Sequence, residues 1–155
     1  MNRCPECKCR RLRKGVIEET LNVGGVAFKA VLPASICRDC ETDTVSHGDL
    51  VRFELAIGTW LGDHGIRTPE TFRFMRKALG MKAADLAALL DLTPETVSRW
   101  ENGKGTIDLG AFALLSKLVA DRIEGSDKTV DLLRAIRYPG KPPARPVALK
   151  LPKVS

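Results

Sequence analysis

Apolar positions follow two different periods in the first part of the chain. Residues 15–19 and 26–32 are short runs rich in β-branched and apolar side chains, and residues 22–25 (Asn-Val-Gly-Gly) supply turn chemistry between them. These runs predict a β-hairpin or small sheet. Between Asp49 and Leu61 the spacing becomes helical, which predicts an amphipathic helix packed on that hairpin. The apolar positions of this helix are Leu50, Phe53, Ile57, Trp60 and Leu61.

The chain from there to residue 138 shows helical periodicity with a repeated start signal. The tripeptide Thr-Pro-Glu occurs at residues 68–70 and 93–95, and each copy offers a capping Thr, a Pro at the first helical position and an acid in the first turn. The pattern predicts a compact all-α bundle of five helices, which end near Leu79, Leu90, Glu101, Arg122 and Tyr138.

These elements divide the chain into two domains and a tail. We predict a small α+β domain over residues 1–62, a hinge at residues 63–67, next to helix-breaking glycines, and a helical domain over residues 68–138. Residues 139–155 are basic, proline-dense and without a hydrophobic period, so they predict a flexible tail. That tail is either a passive extension or a segment that becomes ordered on a partner.

The charge balance is basic. The formal net charge is +6, and residues 141–155 contain four Lys/Arg and no acid. This excess favours weak attraction to a polyanion, although a solvated basic surface with no partner explains it equally well. No apolar run approaches the roughly 18 residues that cross a bilayer, and the chain opens without an apolar signal segment. We therefore expect a cytoplasmic protein without membrane association.

Four of the five cysteines form two C-x-x-C pairs, Cys4 with Cys7 and Cys37 with Cys40. Each short loop places two sulfurs on one side, so the two pairs can close a tetrahedron around one Zn²⁺. Disulfides are disfavoured in a reducing cytosol, and a thioredoxin-type redox pair needs a βαβ context that this pattern lacks. With all four positions filled by protein, the predicted zinc is structural, and a domain this small draws much of its folding free energy from the metal.

Cys9 and the two histidines lie outside this pattern. Cys9, between Lys8 and Arg10, is a spectator, an alternative ligand or an oxidation-sensitive thiol whose thiolate the cations favour. His47 and His64 have no Ser, Asp or second His at a spacing that suggests a catalytic set. Because no nucleophile is found with its base, we predict that the protein is not an enzyme.

Residues 86–103 follow the pattern of a helix-turn-helix. Ala87 is small where two helices approach closely, and Asp91 lies at the turn, where a left-handed residue is usual. The next helix is the one that such proteins place in the major groove of DNA. Its start and outer face carry Thr93, Pro94, Glu95, Thr96, Ser98 and Arg99, whereas Leu92, Val97 and Trp100 point inward.

This segment, above all the run Val-Ser-Arg-Trp-Glu-Asn-Gly at residues 97–103, resembles the Cro/cI (XRE) family of helix-turn-helix repressors. Arg99 has the chemistry for a bidentate contact to guanine, and Glu95 for accepting a hydrogen bond from a cytosine amine. The resemblance implies base contacts from Pro94, Glu95 and Arg99 and phosphate or base contacts from Thr93 and Thr96; Asn102 and Lys104 are plausible phosphate contacts.

The sequence departs from that family at the start of the second helix of the bundle. Residues 82–84 (Lys-Ala-Ala) stand where the family usually has a Thr or Ser cap and a phosphate-holding Gln. We therefore expect a weaker helix start and one phosphate contact fewer. A degenerate bundle that no longer binds DNA remains the alternative.

The order of a four-cysteine module and an XRE domain resembles the MqsA-type antitoxins, whose N-terminal part belongs to the YgiT-type zinc fingers. The resemblance covers about residues 1–138 and includes residues 4–7 (Cys-Pro-Glu-Cys) and 32–34 (Leu-Pro-Ala). It implies a homodimer through the C-terminal domain, a palindromic operator in double-stranded DNA, and a zinc module that neutralises a toxin, typically an mRNA-cleaving ribonuclease.

Three functions are compatible with these observations. The first is an antitoxin that represses its own operon and holds a toxin through the zinc module. The second is a free-standing XRE-family regulator whose zinc module is a scaffold or sensor. The third is an interaction protein in which neither domain touches DNA.

Overall fold

A computed structural model describes residues 3–150 of the chain. In this part, a three-stranded antiparallel sheet with the order β1-β2-β3 precedes six helices. The strands are β1 (Leu12–Val23), β2 (Val26–Cys37) and β3 (Asp43–Val45). The helices are α1 (His47–Asp63), α2 (Pro69–Ala78), α3 (Ala83–Leu89), α4 (Pro94–Glu101), α5 (Leu109–Ile123) and α6 (Lys128–Arg137).

The predicted hairpin is present, but its strands are longer than the sequence pattern indicated. β1 and β2 each have 12 residues and pair along their whole length, whereas the predicted runs covered only residues 15–19 and 26–32. The prediction stopped early because polar residues interrupt the apolar pattern beyond those runs, and backbone pairing does not require that pattern. The short strand β3, which pairs with residues 34–36 of β2, was not predicted at all.

Helix α1 buries two faces. Phe53, Ile57 and Leu61 pack in one apolar cluster with the hairpin, as the periodicity predicted. Leu50 and Trp60, which were assigned to the same face, are 36% and 38% exposed. Another side of α1 packs against α5, and Leu55 belongs to the core of the helical bundle. The apolar spacing predicted only the contact with the hairpin, because a contact on a second face leaves no separate periodic signal.

Two glycines allow the close approach of α1 and α5. A Cβ added at Gly58 would lie 3.0 Å from Val119 Cγ1, and one added at Gly62 would lie 2.8 Å from Ser116 Cβ. A Cβ at Gly62 would force Ser116 or the helices to shift, and one at Gly58 would require Val119 to move by a few tenths of an ångström. The hairpin and the helical bundle are therefore both packed on α1.

The helix starts follow the predicted capping chemistry. The hydroxyl of Thr68 accepts a hydrogen bond from Thr71 N at 3.1 Å, and that of Thr93 accepts one from Thr96 N at 3.2 Å. Asp91 takes the left-handed conformation expected at the turn between α3 and α4, with φ of 57°. These local signals fix where α2 and α4 begin.

Helix α3 begins without a side-chain cap at Lys82, as its sequence predicted. Asp85, one turn into the helix, compensates in part, because its carboxylate accepts a hydrogen bond from Lys82 N at 3.2 Å. The start of α3 thus has the reciprocal hydrogen bond of a capping box, while the side-chain cap that Ser or Thr would supply is absent.

Beyond α6, residues 139–150 are exposed and contain neither helix nor strand. The remaining residues of the predicted tail, 151–155, lie outside the described residues. Among residues 3–150, no helix combines the length and the apolar character needed to cross a bilayer.

Candidate metal centre and nucleic-acid interface

Two loops bring four thiols together at the end of the sheet that is remote from the hairpin turn. The Sγ atoms of Cys4 and Cys40 are 3.6 Å apart, and those of Cys7 and Cys37 are also 3.6 Å apart. All four sulfurs lie within 4.8 Å of one another. Each of these contacts joins one C-x-x-C pair to the other, so the four thiols can hold one metal ion, as their spacing predicted.

The two cysteine loops have the same backbone geometry. In the first loop, residues 4–9, Cys4 N donates to Cys9 O at 2.9 Å. In the second loop, residues 37–42, Cys37 N donates to Thr42 O at 2.9 Å. The residue that follows the second cysteine of each loop has a positive φ, 61° in the first loop and 59° in the second. These left-handed residues turn each loop back on itself, which directs both of its sulfurs towards the shared cluster.

Hydrogen bonds from the second loop favour the metal-binding form of its cysteines. Backbone N–H groups of Cys40 and Asp39 lower the pKa of the Cys37 thiol to about 6, and Asp39 N lies 3.4 Å from Cys37 Sγ. The hydroxyl of Thr42, 3.2 Å from Cys40 Sγ, and the Thr42 N–H lower the pKa of the Cys40 thiol. The thiolate is the form that binds metal, so these hydrogen bonds favour metal binding by Cys37 and Cys40.

Cys9 lies in the same cluster. Its Sγ atom is 3.2 Å from Cys37 Sγ, and the Asp39 carboxylate raises the pKa of the Cys9 thiol by accepting its hydrogen bond. Arg11 forms an ion pair with that carboxylate. Cys7, Cys9, Cys37 and Asp39 thereby make a second group whose donor atoms all lie within 4.8 Å of one another. Sequence reasoning missed Asp39, because one carboxylate between two cysteines carries no spacing signal.

The eight residues predicted to contact DNA lie on α4, at its N-cap, or in the turn that follows it. Thr93 is the N-cap of α4 and residues 94–99 lie in its first two turns, while the apolar Val97 and Trp100 are buried on its other side. The predicted contact residues therefore share one surface. Thr96 is half-buried, and the exposed members are Thr93, Pro94, Glu95, Ser98, Arg99, Asn102 and Lys104.

Some of these residues also hold the helix ends. Thr93 is the N-cap of α4, so its hydroxyl is already engaged by the helix. At the other end, Asn102 Nδ2 donates to Ser98 O at 2.8 Å, and Arg99 Nε donates to Lys104 O at 3.4 Å. The exposed side chain of Arg99 thus makes one long hydrogen bond to the turn that follows α4.

A buried ion pair fixes α4 against α2. Arg76 Nε lies 2.5 Å from Glu101 Oε1, and Arg76 Nη2 lies 2.9 Å from Glu101 Oε2. Arg73, one turn earlier in α2, donates through Nη2 to Glu101 O and to Asn102 Oδ1, at 3.0 Å in each case. Sequence reasoning did not identify this network, although an arginine on the inner face of an amphipathic helix is a signal for a buried partner.

Comparison with known protein families supports the assignment of a helix-turn-helix in the helical bundle. Residues 72–119 match the helix-turn-helix family, and the match contains α3, α4 and the turn between them. It supports the Cro/cI-type (XRE) helix-turn-helix domain inferred from the sequence. The matched region does not include the cysteine cluster. A search of curated proteins gives no match.

Proposed function

We propose that the chain is a sequence-specific DNA-binding transcription repressor whose α4 reads the major groove. The observation that carries this proposal is the polar, exposed surface of α4 within the segment that matches the helix-turn-helix family. Arg99 supplies a guanidinium for guanine and Glu95 a carboxylate for cytosine. The buried Arg76–Glu101 pair keeps the helix in place, which a recognition helix needs for a defined register on the bases.

In the same proposal, the cysteine cluster binds one structural Zn²⁺ through Cys4, Cys7, Cys37 and Cys40. Four thiolates are a common zinc set, and they leave no open position at which a water or substrate could be activated. The metal would then join the loop before β1 to the loop after β2. This arrangement agrees with a non-enzymatic protein.

We further propose that the protein acts in the cytoplasm as a homodimer on a palindromic operator. A two-fold dimer reads two half-sites related by the same symmetry. The exposed apolar residues near the end of the helical domain support an interface there, since Leu132 is 59% exposed, Ile136 68% and Tyr138 74%.

The finer proposal is an antitoxin that represses its own operon and binds a toxin through the zinc module. It is supported by the resemblance of the whole arrangement to MqsA-type antitoxins. The alternative is a free-standing regulator of the XRE family. Affinity purification of the tagged full chain from its native host separates the two, because an antitoxin brings down one small protein encoded next to its own gene and a free-standing regulator does not.

Binding of the zinc-loaded full chain to its own promoter tests the DNA-binding proposal. We expect affinity for one promoter fragment about 10³-fold or more above that for a shuffled fragment at moderate salt. Affinity that is equal for every sequence, or no binding even at low salt, would contradict it.

A further inference from the structure

The two cysteine loops are equivalent in backbone geometry, and this equivalence identifies the position of Cys9. Its carbonyl closes the first loop as the carbonyl of Thr42 closes the second, each accepting from a cysteine N–H at 2.9 Å. Thr42 directs its hydroxyl to Cys40 in its own loop, at 3.2 Å. Cys9 instead directs its sulfur across the cluster, to Cys37 at 3.2 Å.

Two chemical roles are compatible with this position of Cys9. It can act as Thr42 does and donate a hydrogen bond to a sulfur that binds metal. Alternatively it can bind metal itself, because a thiolate is a zinc ligand and a threonine hydroxyl is not. The atoms around Cys9 distinguish the two roles, because a cation bound to Cys9 needs three more donor atoms close by.

Those donors are present. The sulfurs of Cys7, Cys9 and Cys37 and a carboxylate oxygen of Asp39 all lie within 4.8 Å of one another. Three sulfurs and one carboxylate oxygen are a chemically suitable set for Zn²⁺. Asp39 is paired with Arg11, and the side chains are 26% and 74% exposed. An ion pair whose cationic partner is largely in solvent contributes little stability, so a metal cation can displace Arg11.

We propose that Cys7, Cys9, Cys37 and Asp39 form a second, alternative zinc-binding set in this chain, and this inference rests on the metal-binding part of the proposed function. Cys7 and Cys37 belong to both sets, so only one cation is held at a time. A cation moves between the sets by exchanging Cys4 and Cys40 for Cys9 and Asp39. The module therefore keeps its metal when Cys4 and Cys40 are lost as ligands.

The test is a pair of double variants of the full chain that each remove two cysteines. Cys4→Ser/Cys40→Ser removes the two ligands that belong only to the first set, and we expect it to retain about one Zn²⁺ per chain after dialysis against a weak chelator. Cys7→Ser/Cys37→Ser removes the two shared ligands, and we expect it to retain none. Adding Cys9→Ser to the first double variant should abolish its metal binding.

Cobalt substitution supplies a second readout. We expect the Cys4→Ser/Cys40→Ser variant to give a tetrahedral Co²⁺ spectrum whose sulfur-to-metal charge-transfer band is weaker than in the wild type, because three thiolates replace four. Adding Asp39→Asn to that variant should weaken Co²⁺ binding by about 10-fold or more. Far-UV circular dichroism of every variant checks that the helices remain.

Three results would overturn the proposal. If the two double variants lose Zn²⁺ equally, Cys9 and Asp39 do not form a zinc-binding set with Cys7 and Cys37. Cys4 is buried and Cys40 is exposed, so a substitution at Cys40 alone disturbs the packing less. Equal Zn²⁺ affinity of Cys40→Ser and Cys40→Ser/Cys9→Ser would exclude Cys9 as a ligand. A wild-type chain that binds no Zn²⁺ would contradict both proposed zinc-binding sets. DNA binding is measured in a separate experiment, and its result does not distinguish one set from the other.

Discussion

Arg76 and Glu101 form a two-pronged ion pair between α2 and the last residue of α4, and only 11% and 7% of their side chains are exposed. The guanidinium makes a third hydrogen bond, from Nη1 to Met81 O at 2.6 Å. Since α4 carries the proposed base contacts, this pair connects the stability of the helical bundle to the position of the recognition surface.

Removal of one partner of this ion pair should destabilise the folded protein. We expect Glu101→Ala to lower the free energy of unfolding by about 3 kcal/mol, because it leaves the buried Arg76 charge without its counter-ion. Chemical denaturation measures the change. Glu95→Ala, an exposed position on the same helix, is the control and should stay within about 0.5 kcal/mol of the wild type. Equal stability of the two variants would show that the pair does not hold the helix.

Arg99 should determine sequence preference without affecting the fold. We expect Arg99→Ala to weaken binding to the preferred operator by about 1–3 kcal/mol and to relax the preference at one base pair. The control is Lys104→Ala, which should weaken binding about uniformly across sequences and reduce the slope of affinity against salt concentration by about 1. A panel of operators with single base changes measures both effects. An unchanged ranking of the panel by Arg99→Ala would contradict the assignment.

Gly62 should be required for the contact between α1 and α5. We expect Gly62→Ala to destabilise the protein by about 1–3 kcal/mol, because the new Cβ would lie 2.8 Å from Ser116 Cβ. Gly48→Ala is a matched control in the same helix, where the nearest atom to an added Cβ is Ser46 Oγ at 3.9 Å. The control should be neutral or stabilising. Thermal denaturation of the two variants gives the comparison, and an undisturbed Gly62→Ala protein would disprove the close packing.

Asp121 should make the stability depend on acidic pH. Lys117 and then Thr129 lower the pKa of Asp121 to about 2, and Thr129 donates to Asp121 Oδ2 through its hydroxyl at 2.6 Å and its N–H at 3.0 Å. A carboxyl whose pKa is lowered by folding contributes its stability above the ordinary value of about 3.9 and loses it as the pH falls to about 2.

We therefore expect the wild-type protein to lose stability, and its midpoint of denaturation to decrease, as the pH is lowered from about 4 to about 2. The decrease should be smaller in Asp121→Asn. Asp131→Asn is the control, because Asp131 lies on α6 with 74% of its side chain exposed. Denaturation curves at several pH values provide the measurement. Identical pH profiles of Asp121→Asn and the wild type would refute the prediction.

Removal of the metal should affect the two parts of the chain differently. We expect chelation to increase amide exchange in residues 3–45, because metal binding supplies much of the folding free energy of so small a module. The bundle core contains no cysteine, so the helices between Pro69 and Arg137 should remain protected. Addition of Zn²⁺ should restore the original exchange pattern. Equal exchange with and without chelator would contradict a structural role for the metal.

Much of the fold was accessible from the sequence because its signals are local. The Thr-Pro-Glu tripeptides located the starts of α2 and α4, and the C-x-x-C spacing identified the four thiols that meet in the cluster. Capping and loop geometry involve residues only a few positions apart, so the sequence order already contains the relevant neighbours. The assignment of particular residues of α4 to DNA contacts stays a prediction.

Tertiary structure alone decided the contacts between residues that are distant along the chain. Arg76 meets Glu101 25 positions later, and Cys9 meets Cys37 28 positions later. α1 contacts the hairpin with one face and α5 with another, which its single apolar stripe did not indicate. Such pairings depend on how completed elements pack in space, and the periodicity of one segment carries no information about the partner on its other side.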